Sequence, residues 1–493
     1  MTELWLSNFA EIVLTKEFAL AAVAVWLVGK LVYSEFFSPL AKLPGLRPAI
    51  LSDLKVTLGL IRRDAIELQH GLHQKYGPIL RIGTNVVSVA DPKAMRAILV
   101  QHRFNKSVNF DAFRFHADNI FSTQDLELHK KLRRLIAPSF SMSAILEIEP
   151  IVKAAGTDVL MARVDKHAES GDTINLMDFL QQMTFDVIGA VSLGQSFGLQ
   201  NSANTDVIGW MEDIIILGFM KIALGPLFHL RLFPKLCESQ RNIIEFARTA
   251  VRARRESSSK SNDILQRLLD AFDEETGEKL SEDQVIAECI IQLSGGTDTT
   301  AVTLVWAMHL LLENPKCMEK LQAELRQAIP DPDTDISYAD VKDLPYLDGV
   351  LHETLRLRPV SAAGSERTVS KGGAEIAGYY LPEGTYVISS MVDIHTVDDI
   401  FPEPYAFSPE RWDASNHLLA DMKQALLTFS MGPRACIGRN LAWLELRLTL
   451  AMLLRRFDFV VPDGTVVNME PELRFSYKPK DGKLLVRATR RAA

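Results

Sequence analysis

Cysteine is scarce in this chain, with four residues in 493: Cys237, Cys289, Cys317 and Cys436. Four scattered thiols cannot build a disulfide framework, and without a C-x-x-C pair they offer no structural zinc site. By default each is a small apolar residue of the interior. A basic excess is lacking too. With 54 Lys and Arg against 62 Asp and Glu, the net charge is −8, and no basic arm is present, so nucleic acid is excluded as a partner. No internal repeat is visible, which rules out solenoids and propellers. A nucleotide-phosphate loop and a flavin-binding segment are also missing. If the chain performs redox chemistry, its electrons come from another protein.

Long apolar runs are equally rare, and the one that exists lies near the start. Phe18 to Tyr33 reads FALAAVAVWLVGKLVY. As a helix it reaches about 24 Å, slightly short of a hydrocarbon core of about 30 Å. Ile12 to Leu14 can extend it, with Lys16 and Lys30 snorkelling. Glu3, Glu11 and Glu17 outnumber Lys16, unlike the basic start of a cleaved signal peptide. Lys30, Lys42 and Arg47 on the far flank place the downstream domain in the cytosol. A buried amphipathic helix is the alternative, but the apolar residues show no facing. Residues 1–43 therefore read as a single-pass anchor, helical over about 12–33, with a turn-rich connector at Ser38-Pro39 and Leu43-Pro44-Gly45.

Past the connector, the spacing predicts a helix from Asp53 to Tyr76, then two short strands, Ile79–Ile82 and Val86–Val89, around Gly83-Thr84-Asn85. Pro92 to about Val360 is mainly helical, with breaks near Gly171, Gly198, Pro226 and Ser257–Ser261. Arg252 to Ser261 reads as a solvated loop. Arg367 to Tyr386 turns β-like, Pro402 to Trp412 is irregular, and helix returns at Asn440 to Arg456, with β-like ends near Val460 and Leu484. The fold class is mainly α with small β-sheets. No composition break divides 44–493, which is expected to be one catalytic domain.

Cys436 is the thiol with a setting. Phe429-Ser430-Met431-Gly432-Pro433-Arg434-Ala435-Cys436-Ile437-Gly438 leads into a helix whose amides and dipole favour a thiolate. Gly432 permits a turn, Gly438 permits close approach of a flat group, Phe429 shields sulfur, and Arg434 can meet a carboxylate. The spacing F-x-x-G-x-R-x-C-x-G resembles the heme-binding loop of the cytochrome P-450 superfamily at every fixed position. That resemblance implies the cytochrome P-450 fold, heme b as cofactor, and Cys436 as axial ligand of its iron.

Other segments resemble the same family. Glu353 and Arg356 stand at i and i+3, a spacing that alone means a surface pair. The resemblance implies instead a buried network with Arg411 of Phe407-Ser408-Pro409-Glu410-Arg411-Trp412, where Trp replaces the family's Phe. Ser294-Gly295-Gly296-Thr297-Asp298-Thr299-Thr300 lies inside a helical stretch from about Ser281 to Leu312. Its glycines and threonines should weaken a helix. A helix break or close packing explains them, or else Gly295 and Gly296 let the helix pass over a heme face while Thr299 bonds locally. By resemblance, Asp298 and Thr299 are the catalytic acid–alcohol pair that delivers protons during oxygen activation.

For the heme propionates, Arg434, His129 and Arg133 (i, i+4) and Arg367 are the implied partners, with His129 departing from the family's Trp. A solvated basic face is the alternative for His129 and Arg133. Lys130, Lys131, Arg134, Arg439 and Arg447 either dock an acidic reductase or are ordinary surface charge.

The implied function is a monooxygenase that inserts one oxygen atom from O2 into an apolar small molecule by hydroxylation or epoxidation. Its electrons come from NADPH through a separate cytochrome reductase. Tyr76-Gly77-Pro78-Ile79 and Arg133–Ser141 resemble fungal microsomal members, which implies the endoplasmic reticulum membrane and a tailoring step in secondary-metabolite biosynthesis. Two rivals are a heme-thiolate isomerase or dehydratase that does not use O2, and a non-catalytic heme sensor. Asp298 with Thr299 argues against the first; that pair and the anchor argue against the second. The resemblance further implies a pocket lined from Phe104–Phe121, Asp206–Phe233, Val360–Glu366 and Phe475–Lys478. Phe113, Phe115, Ile214, Phe219 and Val360 either line an apolar cavity or belong to the core.

Overall fold

The structure, a computed structural model, describes residues 16–101, 104–202, 206–225, 228–229, 232–258, 261–274 and 276–491. Glu3, Glu11 and the extension at Ile12–Leu14 lie outside the described residues, as do parts of the Asp206–Phe233 and Ser257–Ser261 segments.

The first described helix, Lys16–Val32, runs on through a π-type turn at Tyr33–Phe37. Phe18–Phe37 is long and apolar enough to cross a membrane, and at 1.5 Å per residue it reaches about 30 Å, which fits an anchor. The far end thus extends past the expected Tyr33. It stops where Ser38 turns extended, accepts the Leu40 N–H and passes the chain to Pro39. Glu35, the acid inside the run, is buried and accepts the Ala49 N–H at 2.7 Å, so its charge turns toward protein.

The single helix expected over Asp53–Tyr76 is two, Ala49–Arg62 and Ala65–Tyr76. Arg63 adopts a left-handed φ of 67°, and the Asp64 N–H closes onto the Gly59 carbonyl at 2.9 Å. The bend separates an outward apolar face carrying Leu54 and Ile61 from a helix that buries Ile66. A second correction falls on Arg252–Glu256. These residues complete helix Pro234–Glu256, because Arg254 pairs with Asp263 while Arg252 and Arg255 both reach Glu282.

The two expected strands form a hairpin, Ile79–Arg81 with Val86–Val89. Val86–Val89 pairs in parallel with Tyr386–Ser389. That strand pairs antiparallel with Glu366–Val369, which in turn pairs with Phe104–Lys106. The register sets Lys106 directly opposite Arg367, two cations facing across one rung. Smaller sheets complete the β content, including the hairpin of Pro471–Leu473 with Tyr477–Pro479.

The helical body is organised around Glu282–Glu313, whose 32 residues are buried over most of their length. A capping box of Ser281 and Gln284 starts it. It packs against helices Leu176–Ser192, Pro234–Glu256, Pro345–Leu357 and Arg439–Arg456. The Gly-Gly-Thr segment stays helical within it. Thr297, Thr299 and Thr303 each return their hydroxyl to the carbonyl four residues back, at 3.0, 2.7 and 2.8 Å.

Helix Arg439–Arg456 carries an unusual core residue. Glu445 is buried, one of its carboxyl oxygens has no partner, and burial pushes its pKa from the ordinary 4.5 up to about 8. Folded protein therefore keeps a proton that unfolded chain releases between those values. Its contribution to stability is intact below pH 4.5 and is lost as pH rises through 8. Glu445→Gln should match wild type in thermal midpoint near pH 4.5 and exceed it above pH 8, by scanning calorimetry. An identical pH profile in both proteins would contradict this.

Candidate functional site

Helix Pro345–Leu357 places Glu353 and Arg356 one turn apart, both fully buried. Glu353 Oε1 accepts from Arg356 Nη2 (2.8 Å), Arg411 Nε (2.9 Å) and the Ser408 N–H (3.0 Å). Its Oε2 accepts from Arg356 Nε (2.8 Å) and Trp412 Nε1 (2.9 Å). One carboxylate thus serves two guanidiniums, and the spare N–H groups go to carbonyls: Arg356 to His395, Pro404 and Ala406, Arg411 to Pro402 and Glu403. Trp412 is more than a stand-in for Phe, since its indole donates where Phe has nothing to offer. Gly349 makes the approach possible, because a Cβ there would lie 2.7 Å from the Pro409 carbonyl.

A residue that sequence reasoning missed links this network to the cysteine loop. His395 Nδ1 lies 3.1 Å from the Arg356 carbonyl, and its Nε2 accepts the Leu427 N–H at 3.0 Å. The carbonyl requires Nδ1 to carry the proton, so the ring is the neutral Nδ1–H tautomer. Complete burial, which lowers its pKa to about 3, keeps it neutral. Thr428 adds a bond to the Leu355 carbonyl at 3.0 Å.

The loop then turns through Ser430 and Gly432 at φ 56° and 71°. A Cβ at Gly432 would lie 2.5 Å from the Leu99 carbonyl, so that turn needs glycine on two counts. The Cys436 N–H donates to the Phe429 carbonyl at 2.8 Å, and the Phe429 ring sits 5.9 Å from Trp443. Gly438 faces open space and leads into helix Arg439–Arg456. Cys436 is exposed. Burial raises the thiol pKa, while the Gly438 N–H and the Arg133 and Arg439 guanidiniums pull it down. Cys289, by contrast, is buried and donates to the Ser192 carbonyl at 3.2 Å.

Beside the loop stands a group of basic side chains with little to balance them. Burial and its cationic neighbours lower Lys106 well below its usual value and bring Arg434 down to about 10. Burial alone does the same to Arg367, and His129 falls to about 3 under burial and the surrounding cations. Arg434 Nη1 donates to the Thr123 carbonyl at 2.9 Å, and its Nη2 is buried without a partner. Lys106 donates to the Phe121 carbonyl and packs over the Phe110 and Phe121 rings. Such a cluster is unfavourable until an anion enters, and the two carboxylates of a heme suit it. Lys106 was not legible as a member; only the strand register brings it opposite Arg367. Arg133 takes a different position, donating to the Ala435 carbonyl at 2.5 Å and so bracing the cysteine loop itself.

On the long helix, Gly295 and Gly296 divide their roles. A Cβ at Gly296 would lie 2.8 Å from Ile188, so that glycine serves helix packing, while Gly295 faces open space. Thr299 is partly accessible, with its hydroxyl on the Gly295 carbonyl. Asp298 turns away. Its carboxylate receives Ser476 Oγ, Gln181 Nε2 (3.4 Å) and Lys478 Nζ (3.5 Å), so no hydrogen bond joins it to Thr299. Among the expected pocket residues, Phe113 packs edge-on against Phe115, Phe121 and Phe219, and Ile214 is fully buried. Of the basic residues considered for docking, Lys131, Arg134 and Arg447 pair with Glu278, Asp273 and Asp348. Lys130 and Arg439 remain exposed.

Comparison with known proteins gives a consistent result. The cytochrome P-450 family profile matches residues 54–486. The trichothecene C-15 hydroxylase of Fusarium sporotrichioides is 30% identical over 456 residues, covering 89% of this chain and 91% of that protein. The cytochrome P-450 monooxygenase LUC2 of a Fusarium species is 30% identical over 466 residues, covering 90% of this chain and 89% of its own. Among solved structures, the heme domain of cytochrome P-450DA superposes with a TM-score of 0.79 at 21% identity, covering 91% of this chain and 97% of that one.

The Glu353 network yields a graded test. Glu353→Gln leaves two buried guanidiniums without a counter-charge and should cost about 3–5 kcal/mol in urea unfolding. Trp412→Phe removes one hydrogen bond to a charged group and should cost roughly 1.5–3 kcal/mol. Equal losses in the two variants would refute the hierarchy.

Proposed function

The chain belongs to the cytochrome P-450 family and is a monooxygenase of that family, and from this premise we propose that it tailors an apolar secondary metabolite by hydroxylation or epoxidation. The observation that carries the proposal is the buried cation cluster beside an accessible cysteine thiol, which suits a dianionic, thiolate-ligated heme. Names of the relatives, a trichothecene hydroxylase among them, favour fungal secondary metabolism. Cys436 Sγ would ligate the iron, Arg434, Arg367, His129 and Lys106 would meet the propionates, and Gly438 would leave room for the ring. When bound, the heme supplies oxygen activation, to which thiolate ligation contributes electron density.

This chain's own residues then orient, exclude water and move protons. Phe429, backed by Trp443, shields the sulfur, while Arg133 and the Gly438 N–H steady its negative charge. Thr299, with its hydroxyl already on the Gly295 carbonyl, can hold a water in the open space there. Asp298 is the acid of the pair. To pass a proton toward Thr299 it must leave Ser476, Gln181 and Lys478, so transfer waits on that detachment. Electrons from NADPH arrive through a separate reductase. Phe18–Phe37 anchors the protein as a single pass in the endoplasmic reticulum membrane, with the catalytic domain in the cytosol.

Two measurements test this reading. Reduced wild-type protein under carbon monoxide should show the red-shifted Soret band of thiolate-ligated heme, and Cys436→Ala should lack it; a mutant that kept the band would reassign the ligand. With reductase and NADPH, Asp298→Asn and Thr299→Ala should lower product per NADPH consumed by about a hundredfold or more. Unchanged coupling in both would remove them from proton delivery.

A further inference from the structure

Two polar side chains on the long helix carry buried polar atoms that no partner meets. Glu288 is completely buried, its Oε1 accepts the Ile120 N–H at 2.7 Å, and its Oε2 has no partner. Gln292, one turn on, is half-buried, and neither end of its amide is satisfied. An unmet buried polar group costs stability unless something arrives to meet it. At about 100° per residue, positions 288, 292, 295 and 299 fall on one stripe of the helix. Gly295 on that stripe faces open space, whereas Gly296 beside it is closed off by Ile188.

Resting on the monooxygenase reading above, we propose that Glu288 and Gln292 are the polar anchor of the substrate site and take a neutral oxygen function, a hydroxyl or carbonyl, of an otherwise apolar molecule. The class follows from the donors and acceptors present. Burial pushes the Glu288 carboxyl up to about 8, so at neutral pH it carries a proton. With Oε1 engaged by Ile120, the remaining O–H is a donor, which suits an oxygen acceptor. Gln292 adds two N–H donors and a carbonyl acceptor. The surroundings are apolar, since the segment holding Ile120 continues into Phe121, packed edge-on against Phe110 and Phe113.

The stripe also acts as a ruler. Gln292 and Glu288 precede Thr299 by seven and eleven residues, or roughly 10 and 16 Å along the axis. A substrate held there by an existing oxygen presents a remote carbon to the chemistry near Thr299. The reaction that supplies the substrate must therefore already have installed that oxygen.

Matched probes on the purified holoenzyme test the proposal: dodecanol, dodecane and dodecylammonium, each measured by equilibrium dialysis. Wild type should bind dodecanol about tenfold tighter than dodecane, the value of one well-placed hydrogen bond. Gln292→Leu and Glu288→Leu should each weaken that preference and together abolish it. Glu288→Gln, which keeps an acceptor for Ile120 and a donor for the ligand, should retain it. Equal binding of alcohol and alkane by wild type, binding of neither, a preference for the ammonium, or an undiminished preference in the leucine variants would each overturn the anchor. If Glu288→Leu does not fold, Gln292→Leu alone decides. The carbon monoxide band keeps the premises separate: a missing band with an intact alcohol preference sinks the heme reading alone, and a normal band with no preference sinks the anchor alone.

Discussion

One buried carboxylate holds the proximal half of this protein together. Glu353 receives five hydrogen bonds, two from Arg356 on its own helix and three from the Ser408–Trp412 segment more than fifty residues on. Its two positive partners discharge the excess onto carbonyls of the Pro402–Ala406 stretch, which would otherwise be an irregular loop without a shape. From there the neutral ring of His395 carries the register to Leu427, and two residues later the cysteine loop begins. The position of a single sulfur is thus set by a sequence of obligatory pairings, each of which would strand a buried polar group if broken.

Charge elsewhere in the site runs the other way. Where Glu353 satisfies its cations, Lys106, Arg367, Arg434 and His129 crowd one another, and no carboxylate offsets the burial of Lys106, Arg367 or His129. Such a cluster opposes folding in the empty protein and rewards the entry of a dianion, so cofactor binding and stability are linked. The two halves of the site are complementary: one is internally neutralised and rigid, the other waits for its counter-charge.

Local sequence carried some of this and not the rest. Cys436, Gly432 and Arg434 sit within ten residues, and resemblance of that short segment to the family's heme-binding loop suffices to mark them. Glu353 with Arg356, and Arg411 with Trp412, are also local pairs, although the donation from Trp412 needs the fold to be seen. Lys106 is invisible because its role depends on cross-strand register, set by pairings hundreds of residues away. The left-handed Arg63 has none of the usual Gly or Asn signals. Motif reading places Asp298 and Thr299 side by side, but consecutive helical residues point about 100° apart, and Asp298 follows its own donors instead.

Those donors have a consequence for how such a protein could change over time. Ser476 and Lys478, which hold Asp298, belong to the hairpin around Pro471–Pro479, and Tyr477 between them accepts from Trp306 and donates to Glu67. The same hairpin is a stretch expected to border the substrate. A lineage that altered this segment to accept a new molecule would also alter the grip on the acid. On the proposed role of Asp298, specificity and economy of reducing equivalents would be inherited together, and selection on the first would be paid in the second until a compensating change restored the hold.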